Sequence, residues 1–386
     1  MKIVIAPDSY KGSLSSRQAA EAIWRGLAKV WPEADYQLFP IADGGEGTVE
    51  TMVDLSGGHL LEAKVRDPLG REIKAIWGIL GDGRTAVVET AASSGLTLLS
   101  PKELDPASAC TFGLGQLIQR ALERPEIERI LVGLGGSATN DGGAGMLRAL
   151  GLKFLDAQGQ PVPSGGVGLE QLESIDISGL HPRLKQVRIV LACDVSNPLT
   201  GPNGSSAVFG PQKGADSSMV QRLDSALSHY ASKAKSITGR DVAELPGAGA
   251  AGGLGSAFMF FTDAEFRPGV ELVLEDGDFL NKAAGAMLIV TGEGRSDQQT
   301  ACGKAPVGVA ALGQTLGVPT VILAGALGAG YQELYSQNIA GLMSIVPGPI
   351  RLTESMTEAA VLLEDAAERL ARLLSIQLRP VGGSNG

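Results

Sequence analysis

Residues 3–6 form an unbroken apolar run, which predicts a buried strand over 2–6. The period of the pattern then changes. Ser15 and Gln18 stand three apart, the spacing of a capping box that opens a helix, and Ala20, Ile23, Trp24, Leu27 and Trp31 recur on one helical face until Pro32 stops it. A second strand is predicted over 36–41 and a short helix after Gly47, so the chain opens β-α-β-α.

Near Leu60 the pattern turns into strand after strand. Segments 59–66, 72–80 and 85–89 read as strands, and the turn sequences Asp67-Pro-Leu-Gly and Gly81-Asp-Gly between them predict a meander. From 106 to 285 helices and strands mix, with strands at 129–134 and 188–192 and a long helix over 217–237 whose Met219, Leu223, Leu227 and Ala231 step at helical spacing. After Gly285 the alternation returns: strand 286–291, helix 305–316, strands 319–324 and 342–346, and an amphipathic helix from 354 to about 374. Alternation at both ends around a different middle predicts an α/β fold of two domains, a doubly wound parallel sheet interrupted by an inserted mixed α/β domain. The expected division is 1–62 with 286–376 for the first domain, 63–285 for the insert and 377–386 for a flexible tail.

Composition narrows the function. Apolar residues at 44% and charged residues at 19% describe a globular chain, and 386 residues suffice for two cores. A formal charge of −10 argues against a broad nucleic-acid footprint, which needs clustered Lys and Arg. The three cysteines, Cys110, Cys193 and Cys302, are too few and too widely spaced for a disulfide framework. The N-terminus enters a strand without a basic, apolar leader, and no run reaches the ~18–20 apolar residues of a membrane span. Cytoplasm is the expected compartment, with no nucleic-acid or membrane partner.

The 53 glycines, nearly twice the ~7% of ordinary chains, gather where apolar runs end. Five segments share this form: Ala6-Pro-Asp-Ser-Tyr-Lys-Gly, Ile41-Ala-Asp-Gly-Gly-Glu-Gly-Thr, Gly133-Leu-Gly-Gly-Ser-Ala-Thr-Asn-Asp-Gly-Gly, Ala192-Cys-Asp-Val-Ser-Asn-Pro-Leu and Thr291-Gly-Glu-Gly-Arg-Ser-Asp-Gln-Gln-Thr. Glycine turns present successive N–H groups to anionic oxygens, and ligands of open α/β sheets bind at strand carboxyl ends. Phosphoryl transfer would use the whole set: Asp8, Asp43, Glu46, Asp141, Asp194, Glu293 and Asp297 to hold Mg²⁺ or position a hydroxyl, and Lys11, Lys213, Arg295 and Lys304 to offset charge. Asp43 and Asp141 also suit turn or N-cap positions that bond only backbone.

His59, His181 and His229 lie outside these loops, and Cys193 has no histidine near it in sequence, so neither histidine nor cysteine catalysis is expected. Gly133-x-Gly135-x-x-Ala138 follows a strand as a dinucleotide fingerprint must, but its surroundings are atypical. It keeps a nicotinamide oxidoreductase open as an alternative, beside a non-enzymatic sensor of small anions. Gly247-x-Gly249-x-x-Gly252 follows no strand, and no Walker loop exists.

Six segments taken in order resemble the bacterial glycerate kinase type 1 family. They are the N-terminal run through Asp8-Ser-Tyr-Lys-Gly, Ala42-Asp-Gly-Gly-Glu-Gly-Thr, Gly135-Gly-Ser-Ala-Thr-Asn-Asp-Gly-Gly-Ala-Gly, Phe209-Gly-Pro-Gln-Lys-Gly-Ala, Pro246-Gly-Ala-Gly-Ala-Ala-Gly-Gly-Leu-Gly and Thr291-Gly-Glu-Gly-Arg-Ser-Asp-x-Gln-Thr. The resemblance spans Met1 to about Leu374. It implies ATP-dependent phosphorylation of D-glycerate, usually at the 2-hydroxyl, with Mg²⁺ as cofactor and two α/β domains, one of them Rossmann-like. Phosphorylation at the 3-hydroxyl is the alternative within this reading, and a homodimer is the candidate assembly. Thr90, Ser196 and Cys302 depart from the wording of the family.

On this reading Asp194 accepts or orients the proton of the substrate hydroxyl, with Asp297 the second candidate. Arg295 and Lys11 hold the substrate carboxylate or the moving phosphoryl group, since a guanidinium clamps an oxyanion bidentately. Asp8, Asp43 and Glu293 are the expected contacts of Mg²⁺ or its waters. Gly135, Gly136 and Ser137 would cradle phosphate oxygens, and Ser9, Asn140, Asn197, Lys213, Gly292, Gly294 and Lys304 complete the expected substrate and ATP contacts.

Overall fold

The computed structural model describes residues 1–301 and 304–376. Its strands are, in chain order, β1 (Lys2–Pro7), β2 (Asp35–Leu38), β3 (His59–Arg66), β4 (Glu72–Ile79), β5 (Thr85–Glu89), β6 (Arg129–Gly133), β7 (Lys153–Leu155), β8 (Ser174–Asp176), β9 (Arg188–Ala192), β10 (Glu265–Arg267), β11 (Leu288–Ser296), β12 (Thr320–Leu327) and β13 (Ile339–Ser344). The chain divides into two compact units, Met1–Ala42 together with the chain from Asp278 onward, and Asp43–Gly277.

In the first unit the order is β13-β12-β11-β1-β2 and every pairing is parallel. Alternate residues of β12 enter separate cores, because successive side chains of a strand point to opposite faces. Val321 and Leu323 join Ile3, Ile5, Val290 and the apolar faces of α1 (Ser16–Ala28) and the helix Ala359–Leu374. Ile322 and Ala324 join Ala310 of the helix Ala305–Leu316 and Leu334. Helices on both faces make this the doubly wound sheet the alternation predicts. α1 opens with the expected capping box, Ser15 accepting from the Gln18 N–H and Gln18 returning to the Ser15 N–H. Gly26 lets α1 approach the C-terminal helix so closely that a Cβ there would sit 2.1 Å from Glu364 O.

The second unit has a six-stranded sheet, β10-β9-β6-β5-β4-β3, and a separate antiparallel pair, β7-β8. β5, β6, β9 and β10 are parallel, and β3 and β4 add the expected antiparallel meander at one edge. Leu114, Leu117, Ile118 and Ala121 of the helix Phe112–Leu122 pack with Val65, Trp77 and Val88, and Leu227, Tyr230 and Ala234 of the helix Ser217–Thr238 belong to the same core.

Several boundaries differ from the pattern-based ones. The chain enters the second unit at Asp43 and leaves at Gly277 rather than at 62/63 and 285/286. The reason is β3, which pairs with β4 over its whole length, so a cut after residue 62 would sever a strand. The 36–41 strand stops at Leu38, although the Phe39 and Ile41 N–H groups still bond Ile5 O and Pro7 O. Trp24 is 42% exposed, and Trp31 lies beyond the end of α1, so the buried stripe is the narrower one of Ala19, Ala20, Ile23 and Leu27. The last helix is two, Leu352–Thr357 and Ala359–Leu374, and the 342–346 strand is Ile339–Ser344. Cys302 and the expected tail 377–386 lie outside the described residues.

Candidate active site

In the first unit β1 and β11 are neighbours from which the chain runs outward in opposite directions, β1 to β2 on one side and β11 to β12 to β13 on the other. Counted without the insert, this is the 2-1-3-4-5 order, whose switch point is the ligand position of open α/β sheets. Pro7 is level with Gly292, and the Asp8 N–H donates to Gly292 O at 2.8 Å. Asp8, Ser9 and Lys11 therefore follow β1 beside Gly292, Glu293 and Gly294. Gly292 admits no side chain, since a Cβ would lie 2.4 Å from Leu323 O and 2.5 Å from Tyr10 Oη. The Tyr10 hydroxyl is buried there and donates to Leu323 O at 2.6 Å.

Glu293 is 6% exposed, and its Oε1 accepts from Ser296 Oγ at 2.8 Å and Thr300 Oγ1 at 2.7 Å. Burial pushes its carboxyl above the ordinary range, the two hydroxyls and Lys304 pull it back, and Asp297 adds to the rise. Glu293 and Asp8 both raise the Tyr10 phenol after burial, so two carboxylates bear on one buried hydroxyl. Arg295 is exposed and pairs with Asp297, Nε to Oδ2 at 3.0 Å. Lys304 stands at the N-cap of the helix Ala305–Leu316.

In the second unit Glu89, Gly133, Ala192 and Arg267 end their parallel strands level with one another. The segment that carries Asp43 lies over these ends by glycine-to-backbone contact. Gly44 O accepts the Gly135 N–H at 2.9 Å, and a Cβ on Gly135 would come within 2.5 Å of Gly45 Cα, one on Gly133 within 2.5 Å of Gly44 O. Asp43 Oδ1 accepts the Gly45 N–H at 3.2 Å. Asp194, exposed after β9, accepts the Gly269 N–H at 3.0 Å, and a Cβ on Gly269 would touch the Asp43 carbonyl. Asp194 and the Asp43 backbone thus converge on the first turn of the helix Gly269–Asp276.

Loop 134–143 is a buried polar network. Lys213, 2% exposed, donates from Nζ to Thr139 O at 2.6 Å and to Ser137 Oγ at 3.4 Å. Burial lowers the ammonium to about 7, with Asp141 opposing. Asp141 accepts from the Thr111, Gly143 and Gly145 N–H groups and the Thr111 hydroxyl, so it is a loop-building carboxylate. Asn140 Nδ2 donates to Ser206 Oγ at 2.9 Å, whereas Asn140 Oδ1 and Ser205 Oγ are buried without a partner among the described residues. Such unmet capacity is what a ligand or water completes. Ala251, Gly252 and Gly253 are all left-handed and pack on this loop, with Ser137 Oγ 3.4 Å from Ala251 O.

The chain matches the Glycerate kinase family over residues 3–375. It belongs to the glycerate kinase family. A protein of Bacillus subtilis (strain 168) named glycerate kinase is 47% identical over 376 residues, 97% of this chain and 98% of that one. One of Escherichia coli (strain K12) named glycerate 2-kinase is 46% identical over 382 residues, 99% and 100% of the two chains. A crystal structure from Salmonella typhimurium LT2, of a protein provisionally named glycerate kinase 2, superposes with a TM-score of 0.83 at 46% identity and covers 97% of this chain and 98% of that one.

Within this glycerate kinase family fold the expected residues fall into two sets. Asp8, Ser9, Lys11, Gly292, Glu293, Gly294, Arg295, Asp297 and Lys304 belong to the switch point of the first unit. Asp43, Gly135, Gly136, Ser137, Asn140, Asp194, Asn197 and Lys213 belong to the second. Of the three expected metal contacts, Asp8 and Glu293 belong to the first unit and Asp43 to the second. Among the described residues no three His, Cys, Asp or Glu side chains gather as a metal site.

Gly135 differs from expectation. Its N–H is taken by Gly44 O, so it holds the Asp43 segment rather than a phosphate oxygen. Asn197 Nδ2 donates to Asn203 O, and its own carbonyl accepts the Gly249 N–H. The fingerprint at 133–138 is not a tight strand-to-helix turn, because residues 134–143 separate β6 from the helix Ala144–Ala149. Thr90, one of the three departures, is buried and bonds Gly133 O through both its hydroxyl and its N–H. Burial raises the half-buried Cys193 thiol, which disfavours its thiolate form. Pattern reading passed over Glu89, Ser205 and Ser206. Glu89 did leave a signal, a carboxylate closing the apolar run Ala86-Val87-Val88.

Proposed function

We propose that this protein transfers the γ-phosphoryl group of ATP to the 2-hydroxyl of D-glycerate, releasing 2-phosphoglycerate and ADP. The observation that carries this reading is the 46% identity, over 99% of the chain, to the protein named glycerate 2-kinase in Escherichia coli. The geometry suits the chemistry: carboxylates and glycine-rich turns stand at the carboxyl ends of both parallel sheets.

In this reading Asp194 takes or orients the proton of the attacking hydroxyl, and the Gly269 N–H holds its Oδ1 in place at 3.0 Å. Asp297, paired with Arg295, is the second candidate. Lys11, Arg295 and Lys304 offset the charge of anionic oxygens, while Gly136, Ser137 and Asn140 receive them beside the buried Lys213 ammonium. Ser9, Gly292 and Gly294 complete the switch-point contacts.

Asp8 and Glu293 fit Mg²⁺, because nucleotide-bound Mg²⁺ takes one or two carboxylates and fills its shell with phosphate oxygens and water. A buried Glu293 with a raised carboxyl gains from a cation. Asp8 and Glu293 would hold the ion, which would supply positive charge to the transferring phosphate. Asp43, in the second unit, is a further carboxylate that we assign to phosphoryl transfer. We place the enzyme in the cytoplasm, where ATP is available and thiols stay reduced.

Phosphorus NMR of the protein with ATP, Mg²⁺ and D-glycerate tests the proposal against authentic 2- and 3-phosphoglycerate. Growth of the 2-phosphoglycerate signal with ADP is expected. The 3-phosphoglycerate signal would move the attack to the other hydroxyl. Folded protein that binds glycerate and transfers nothing would sink the kinase reading in favour of an anion sensor.

A further inference from the structure

β5 ends in a carboxylate outside the glycine-rich segments. Glu89 is 5% exposed and stands level with Gly133. Its Oε1 accepts the Gly47 N–H at 3.4 Å and its Oε2 the Val49 N–H at 3.2 Å. These amides begin α2 (Thr48–Ser56), whose N-cap, Gly47, has no side chain to cap it. Glu89 supplies from another strand what a Ser or Asp at the cap supplies in most helices, and it places its charge at the positive end of α2.

Each oxygen of Glu89 accepts a backbone amide. Its carboxyl is pushed up to about 7, by burial first and by Glu50 on α2 second, against the pull of the Val49, Gly47 and Thr48 amides. The backbone of Gly133 on β6 packs beside its Cβ, and Thr90 is next in the chain. A folded-state value above the unfolded one means stability that is present at acid pH and lost as pH rises towards about 7. Ionised Glu89 therefore weakens the fold at neutral pH. A group that costs stability and still holds a loop marks a demand on position.

The loop it holds is the one with Asp43. Residues 43–45 are fixed at their upstream end by contact of Gly44 with Ala192, of Gly45 with Gly135 and of the Asp43 carbonyl with Gly269. Glu89 fixes the downstream end, at Gly47 and Val49.

We propose that Glu89 is a positioning residue for the reaction: its carboxylate clamps the first turn of α2 and so sets where the Asp43-Gly44-Gly45 segment lies over the ends of β6 and β9. This rests on the reading that Asp43 serves phosphoryl transfer. Glu89→Gln keeps the size of the side chain but turns an NH₂ donor towards an N–H donor. We expect kcat/KM for glycerate to fall by about tenfold to a hundredfold, mainly in kcat, as displaced groups do. The melting temperature at pH 8 should stay level or rise, and the fall of stability with pH between about 5 and 7 should flatten. A merely structural role would lower stability and activity together. Wild-type kcat and KM in a folded Glu89→Gln protein would overturn the proposal.

Amide exchange in the unmutated protein supplies a second readout that needs neither a variant nor turnover. Protection of the Gly47 and Val49 amides, corrected for the intrinsic pH trend, should fall as Glu89 ionises, because opening of this turn releases a carboxyl whose folded-state value is raised. Protection flat from about pH 5 to 8 would remove the clamp. Protein that phosphorylates no glycerate would defeat the functional reading alone, and exchange would still judge the clamp.

Discussion

At the end of β11 in the first unit, Glu293 is held by two hydroxyls, and the charged groups after it, Arg295, Asp297 and Lys304, include an exposed ion pair. At the end of β6 in the second unit, Lys213 is buried, Asp141 is consumed by backbone amides, and glycines pack against backbone. Both edges are glycine-rich strand ends in the sequence. The first presents side chains, whereas the second is a scaffold with few exposed charges, of which Asp194 is one. Similar motifs therefore present their groups differently: charged side chains at the first edge, and backbone packing with buried polar groups at the second.

The sharpest break of this comparison lies in the second unit. Asp194→Asn keeps an oxygen for the Gly269 N–H but cannot take a proton, and kcat should fall by about 10²- to 10⁴-fold with little change in melting temperature. Turnover at the unmutated rate would remove Asp194 as the base. In the first unit Glu293→Gln should lower kcat/KM by about tenfold to a hundredfold and raise the Mg²⁺ concentration at half-maximal rate. An unchanged Mg²⁺ dependence would free Glu293 from the metal.

The glycine scaffold gives smaller effects. Gly135→Ala drives a methyl into the backbone at Gly45 and should destabilise the protein by about 1–3 kcal/mol in urea titration, with activity falling as the Asp43 segment shifts. Gly159→Ala has open space around it at a φ of +73°, so it should cost only about 1 kcal/mol and leave activity intact. Ala251→Gly is the smallest and has the opposite sign. Ala251 sits at φ +51° within a left-handed turn, and glycine there should stabilise by up to about 1 kcal/mol, read as a rise in melting temperature.

Much of the fold was legible. Period changes located α1 and its capping box, the meander β3-β4-β5, the long helix and the closing alternation, because each is written in local spacing. The strand-end loops were legible because glycine and carboxylates there break the apolar pattern. Trp24 was misread because helical spacing reports a face but not how wide its burial is. The expected boundary at 62/63 falls inside β3, whose full extent is fixed by its pairing with β4 rather than by local spacing. Asp141 carried both readings in sequence, and only the amides of Thr111, Gly143 and Gly145 assign it to the loop.

The chain by itself determined its local elements, the glycine loops that end its strands and its kinship with the glycerate kinase family, since these reside in the order of residues. Tertiary structure alone decided that β1 and β11, whose paired residues such as Pro7 and Gly292 are 285 positions apart in the chain, form the switch point. It also decided that Glu89 caps a helix it does not belong to and that Lys213 is buried. The physical reason is that burial and hydrogen-bond partnership are properties of groups brought together across long stretches of chain. A carboxylate or ammonium acquires its charge state and its task from those neighbours, and no local pattern records them.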